Sequence, residues 1–91
     1  MRYDREWLRA TKAAKVYVGQ VSEKMVRIPE PQDRLIVGNI FNVVVESFRG
    51  SVAAGTDFSR DMADIADLDK LADELIQEKR CAEYSLPAPE A

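Results

Sequence analysis

The chain has 91 residues, 46% of them hydrophobic and 32% charged, and a formal net charge of −3. This composition is typical of one soluble globular domain and argues against disorder outside the C-terminal tail. There is no uninterrupted apolar run of the roughly 18–20 residues that a membrane span needs, and the charged N-terminus does not resemble a signal peptide. One cysteine excludes an internal disulfide framework. We therefore expect a cytoplasmic protein, with residues 1–84 forming a single helical domain and residues 85–91 a flexible C-terminal tail.

Positive and negative charges are concentrated at opposite ends of the chain. The first 27 residues hold seven Lys or Arg and three acids, whereas residues 55–91 hold four Lys or Arg and ten acids. This asymmetry indicates either two neighbouring helices that attract each other or two separate charged surfaces.

The first periodic segment, from about Tyr3 to Ile28, is predicted to be a long amphipathic helix. Its apolar stripe alternates spacings of four and three residues and consists of Trp7, Thr11, Ala14, Val18, Val21, Met25 and Ile28. Pro29 and Pro31 end this helix, because proline disfavours helical geometry in the residue before it and has no amide hydrogen to donate.

The second segment, from Pro31 to Arg49 or to Ala54, is the most apolar part of the chain. On a helix its apolar side chains fill roughly 200° of the circumference. They are Ile36, Val37, Ile40, Phe41, Val43, Val44, Val45, Phe48 and Val52. The apolar stripe of a surface helix is usually narrower, about 100° or somewhat more. This helix is therefore expected to need partners on two sides, with Val44 in the middle of its arc.

A β-hairpin is the main alternative for the second segment. β-branched residues favour strands, and Gly38-Asn39 is a plausible two-residue turn. Phe41-Asn42-Val43 and the two valines that follow do not alternate cleanly, whereas the polar residues of the segment recur at helical spacing. We therefore prefer the helix and keep an α+β fold with a central hairpin as the minor alternative.

The third segment is predicted to be a helix from the capping residues around Asp57 to about Glu83. Its apolar stripe consists of Phe58, Met62, Ile65, Leu68, Ala72, Leu75 and Ile76. Short connections between amphipathic helices favour antiparallel neighbours. The predicted fold is all-α, with three long antiparallel helices that form a bundle or one half of a helical homodimer.

The residue types needed for catalysis are scarce. Histidine is absent, the one cysteine cannot build a thiolate metal site, and no phosphate-binding glycine loop or nucleophile motif occurs. The acids of the third segment progress around a helix at three-residue steps and do not converge in a calcium-binding loop. We expect no enzymatic activity, no metal and no cofactor.

The acidic third segment is the best candidate for a binding surface. The residues expected to contact another protein are Asp61, Asp64, Asp67, Asp73, Glu74 and Glu78. Their mutual repulsion exceeds what folding alone requires, so a basic partner would stabilise them. The alternatives are a solvated helix face and charge pairing with the first helix.

A basic strip on the first helix gives a second hypothesis. Arg5, Arg9 and Lys12 could contact nucleic-acid phosphates, although Asp4 and Glu6 interrupt the strip and a nucleic-acid-binding domain is usually basic overall.

The sequence therefore predicts a non-catalytic regulator, adaptor or inhibitor that occupies a surface of a larger, basic protein. Its size and charge are analogous to small proteins encoded by phages and mobile elements. A nucleic-acid-binding regulator and a structural subunit of an assembly are the alternatives. A homo-oligomer is also expected, because a second copy could cover apolar surface that the monomer exposes.

Overall fold

The computed structural model describes the backbone of residues 4–85 and the side chains of residues 4–78. The chain forms three helices, α1 (Arg5–Met25), α2 (Pro31–Ala54) and α3 (Ser59–Ser85). No strand occurs in the described part of the chain, so the all-α prediction is confirmed and the β-hairpin alternative is wrong. Residues 86–91 of the predicted tail lie outside the described residues.

The residues at the start of each helix explain where it begins. The Asp4 carboxylate accepts a hydrogen bond from the backbone amide of Trp7 at 2.8 Å, which satisfies a free amide in the first turn of α1. Pro31 is the first residue of α2, where its lack of an amide hydrogen has no cost. Before α3, the Asp57 carboxylate accepts hydrogen bonds from the hydroxyl and the amide of Ser59, at 2.7 and 3.2 Å, and these bonds lower the pKa of Asp57.

Helix α1 contacts α3 and the turn before it, and these contacts occur at both ends of α1. Near its start, the ring of Trp7 meets the ring of Phe58 edge to face, with 6.4 Å between the ring centroids. Near its end, the Lys24 ammonium lies 2.6 Å from the Asp69 carboxylate. These two contacts hold α1 against α3 and against the residue that precedes it.

Helix α2 contacts α3 near the turn that joins them. The hydroxyls of Ser47 and Ser51 donate hydrogen bonds to Asp61, at 2.8 and 3.3 Å, and the rings of Phe48 and Phe58 meet edge to face at 5.4 Å. These contacts tie the C-terminal half of α2 to the first turns of α3.

The hydrophobic core contains side chains from all three helices and from the turn between α1 and α2. Its buried apolar residues are Ala14, Val21, Met25, Ile28, Val37, Phe41, Val45, Phe48, Ile65, Leu68 and Ala72. All of them lie on the stripes or in the arc that the sequence predicts, and Thr11 of the α1 stripe is buried as well.

The apolar arc of α2 is only partly covered. Phe41 and Val45 are buried, whereas Ile36, Ile40 and Val43 remain about half or more exposed. The expected middle of the arc, Val44, is only half-buried and lies at the margin of the core. The reason is that α1 and α3 also contact each other, so both lie on one side of α2 and cover a single arc of its surface.

The valines at 43 and 45 provide a matched test of this orientation. Val45→Ala removes buried methyl groups and leaves a cavity, and we expect it to lower the free energy of unfolding by about 2 kcal/mol. Val43→Ala should have little effect or stabilise slightly, because Val43 is 70% exposed and alanine favours a helix. Denaturant titration measures both values, and equal losses would contradict this orientation of α2.

Two glycines near the end of α2 differ in what they require. Gly55 ends the helix with a φ of 71°, which L side chains adopt only with strain, whereas Gly50 lies inside the helix with open space where a Cβ would stand. We expect Gly55→Ala to lower the free energy of unfolding by about 1 kcal/mol and Gly50→Ala to raise it by up to about 1 kcal/mol. Thermal melts of the two variants should therefore shift in opposite directions.

Candidate binding surface

A cluster of polar side chains joins α1 to α3. The Tyr17 hydroxyl donates a hydrogen bond to one oxygen of Asp69 at 2.8 Å, and the Lys24 ammonium lies 2.6 Å from the other oxygen. The same ammonium lies 2.8 Å from the Asp73 carboxylate. The side chains of Lys24 and Asp69 are 24% and 21% exposed, so water screens this ion pair less than a surface pair.

The cluster shifts the titration of its members. Hydrogen bonding to Lys24 and, to a smaller extent, to Tyr17 lowers the pKa of Asp69. Hydrogen bonding to Asp69 and then to Asp73 raises the pKa of Lys24. Burial and the hydrogen bond to Asp69 raise the pKa of Tyr17. The charged forms of Lys24 and Asp69 are therefore the stable ones at neutral pH.

Asp69 is not among the acids of α3 that were predicted to bind a partner, and its role in this cluster was not predicted. Asp69 lies four residues after the buried Ile65 and three before the buried Ala72. That spacing puts a carboxylate on the core-facing side of the helix, and it is the signal that identifies Asp69 from sequence alone.

Substitution of Asp69 should destabilise the protein. Asp69→Asn removes the charge that Lys24 and Tyr17 contact, and we expect it to lower the free energy of unfolding at neutral pH by about 1–2 kcal/mol. The control is Asp67→Asn, two residues away, because Asp67 is exposed and makes no hydrogen bond or ion pair to a described residue. Urea titration should find the control unchanged, and equal losses would contradict a stabilising role for the cluster.

The pKa directions also predict how stability depends on pH. Because the folded-state pKa of Asp69 is lowered, its contribution is present above the unfolded-state pKa of about 3.9 and is lost as the pH falls through the folded-state value. The pKa of Lys24 is raised, so its contribution is present below about 10.4 and is lost as the pH rises through the folded-state value. Melting temperature measured from acid to alkaline pH should decline at both ends in the wild type and less steeply in Asp69→Asn.

The acids predicted to bind a partner divide into two groups. Asp61 accepts hydrogen bonds from Ser47 and Ser51, and Asp73 pairs with Lys24, so these two carboxylates have partners within the chain. The remaining four are exposed and form no ion pair with any described residue: Asp64, Asp67, Glu74 and Glu78. We call these four the outer acids.

The outer acids lie on one side of α3. Angles around the helix axis are measured here from Asp61. Asp69 and Asp73, which face α1, are turned by about 80° and 120° in one direction. The outer acids are turned by about 60° to 140° in the other direction. They therefore lie on the side of α3 that faces away from α1.

The predicted basic residues of α1 are not used to neutralise the outer acids. Arg5, Arg9 and Lys12 are exposed, and none forms an ion pair with a described acid. The α1 residue that pairs with α3 is instead Lys24, near the other end of the helix. The basic and the acidic surfaces are thus separate, and nucleic-acid binding by the basic one stays a prediction.

Two grooves lie beside the helices. One, of about 640 Å³, runs between α1 and α2, and its lining includes Val18, Gly19, Phe41, Val45 and Arg49. The other, of about 750 Å³, lies at the end of the bundle where Trp7 meets Phe58. Within the described residues no group of three or more Asp, Glu, His or Cys could hold a metal ion.

Helix α2 is long and apolar enough to cross a membrane when only its length and composition are considered. An apolar helix of a soluble core passes the same test, so this finding does not distinguish a membrane location from an aqueous one.

No protein-family model, no curated protein and no solved structure matches this chain.

Proposed function

We propose that this protein is a cytoplasmic, non-catalytic regulator, adaptor or inhibitor that acts by occupying a positively charged surface of a larger protein. The observation that carries the proposal is the division of the α3 carboxylates into two groups. Asp61, Asp69 and Asp73 have partners within the chain, and the outer acids do not pair with a described residue. Asp69 and Asp73 already compensate Lys24, whereas none of the outer acids forms an ion pair with a described residue.

The outer acids lie close enough to repel one another. Asp64 and Asp67 are three residues apart on α3, and Glu74 and Glu78 are four apart, which are the spacings at which side chains on a helix are neighbours. Lys70 lies between the two pairs but forms no ion pair with a described acid. A basic partner surface would lower this repulsion on binding and would speed association by electrostatic steering.

The proposed architecture is an up-down-up bundle, in which α2 runs antiparallel to α1 and α3. Three contacts support it: Trp7 with Phe58, Lys24 with Asp69, and Ser47 with Asp61. In this arrangement the outer acids extend along one face of the bundle, where a large partner can reach all of them.

The test is a triple variant, Asp64→Asn with Asp67→Asn and Glu74→Gln. We expect the melting temperature to stay the same or rise slightly, because like charges are removed and no internal contact is lost. The partner is first captured from a lysate of the native host with the wild-type protein and identified by mass spectrometry. Its association rate should then fall for the triple variant, and the wild-type rate should fall as salt rises.

The control removes three charges elsewhere. Arg5→Gln, Arg9→Gln and Lys12→Gln change the same number of exposed residues on α1. This control should leave the association rate the same or raise it, since it makes the protein more negative. An unchanged rate for the acidic triple variant would refute the proposal, and a lowered melting temperature would favour the alternative that these acids stabilise the monomer.

Self-association of the chain also stays a prediction. It would use exposed apolar residues of α1, such as Leu8 and Val16, rather than the outer acids. Light scattering at high protein concentration distinguishes a monomer of 10.3 kDa from a multimer.

A further inference from the structure

An apolar strip on α2 is left uncovered beside α3. Ile36, Ile40 and Val43 are spaced by four and three residues and are 51%, 48% and 70% exposed. On a helix they lie within about 40° of Ser47. The Ser47 hydroxyl donates a hydrogen bond to Asp61 of α3, so the strip borders directly on α3.

On the neighbouring surface of α3, one exposed apolar residue lies between two acidic ones. Leu71 is 37% exposed and is turned by about 80° from Asp61, away from the side that contacts α1. Asp64 and Glu78 are turned in the same direction by about 60° and 100°. We call the surface made by the α2 strip, Leu71, Asp64 and Glu78 the α2–α3 face.

We propose that the α2–α3 face binds an amphipathic helix of the partner protein, with apolar residues on one side and Lys or Arg along one border. Two helices packed side by side leave a groove into which the side-chain ridges of another helix fit, and an added helix would complete a four-helix bundle. This proposal rests on the proposed function, from which it takes the positive charge of the partner. It adds that the partner segment is a helix and that this helix contacts the apolar strip of α2.

Burial of the strip would stabilise the complex more than the acids alone. Exposed charge pairs contribute little to affinity, whereas burial of apolar side chains stabilises a complex in proportion to the area removed from water. The acids on α3 would set the direction and speed of docking, and the α2 strip would determine how slowly the complex dissociates.

The charge on the α2–α3 face argues against a second copy of this chain as the occupant. A two-fold symmetric contact brings identical surfaces together. It would place the carboxylates of Asp64 and Glu78 near their equivalents, and like charges that face each other across an interface oppose association. A helix with lysine or arginine at that border fits both the apolar strip and the charge.

The experiment uses a fluorescent peptide of about 20 residues, which spans about 30 Å as a helix. It carries leucine at spacings of three and four residues and lysine along one border. A twin peptide has glutamate in place of every lysine. Fluorescence anisotropy with the full-length protein should show binding of the lysine peptide and at least roughly tenfold weaker binding of the glutamate peptide.

The decisive variant is Ile36→Gln with Ile40→Gln. Its matched control is Leu8→Gln with Val16→Gln on α1, because these residues are 52% and 58% exposed against 51% and 48% for the isoleucines. All four side chains lie outside the core, so both variants should fold, and circular dichroism checks this. The isoleucine variant should bind the lysine peptide at least roughly tenfold more weakly, and the control should bind it like the wild type.

Several outcomes would overturn the proposal: no binding of the lysine peptide, equal loss in the control, or equal binding of the glutamate peptide. Multimers that the isoleucine variant abolishes would assign the face to a second copy. Binding to phosphatidylglycerol vesicles that depends on Ile36 and Ile40 would assign it to a membrane. If the isoleucine variant binds normally while the acidic triple variant associates more slowly with the native partner, the proposed function stands and this proposal fails.

Discussion

The apolar arc of α2 is wider than the other two helices can cover, and this mismatch determines the rest of the arrangement. The core forms where α1 and α3 both contact α2, around Phe41 and Val45. Because α1 also packs against α3, the two helices lie on one side of α2 and cannot reach the opposite part of its arc. Ile36, Ile40 and Val43 are the residues left exposed. The most apolar helix of the chain therefore supplies both the largest share of the core and an uncovered apolar strip.

Electrostatics reinforces this arrangement and divides α3 into two sides. On the side toward α1, Asp69 and Asp73 share the Lys24 ammonium, and Tyr17 contributes a hydrogen bond. The Asp69 carboxylate contacts both Tyr17 and Lys24 of α1. These two contacts fix which face of α3 packs against α1. The outer acids remain exposed on the other side and form no ion pair with a described residue. Folding thus uses part of the negative charge of α3, and the rest is available for binding.

Charge and apolar surface meet at the α2–α3 face, and each has a distinct physical effect there. Exposed carboxylates act over about a Debye length, roughly 8–10 Å, so they affect the approach of a partner more than the lifetime of a complex. An exposed apolar strip acts only on contact and affects the lifetime. A partner that carries both basic and apolar side chains is therefore favoured over a partner that carries only one of these kinds.

The sequence by itself determined the helices and most of the core. Spacings of three and four residues placed Ala14, Val21 and Ile65 on buried faces, and proline and glycine marked the helix boundaries, because these signals are local to each helix. The sequence also identified the carboxylates of α3 as a charged surface. It could not say which part of the α2 arc is covered, or that Asp69 faces Lys24. Both depend on how the helices are rotated and placed against one another, which packing between segments distant in the chain decides.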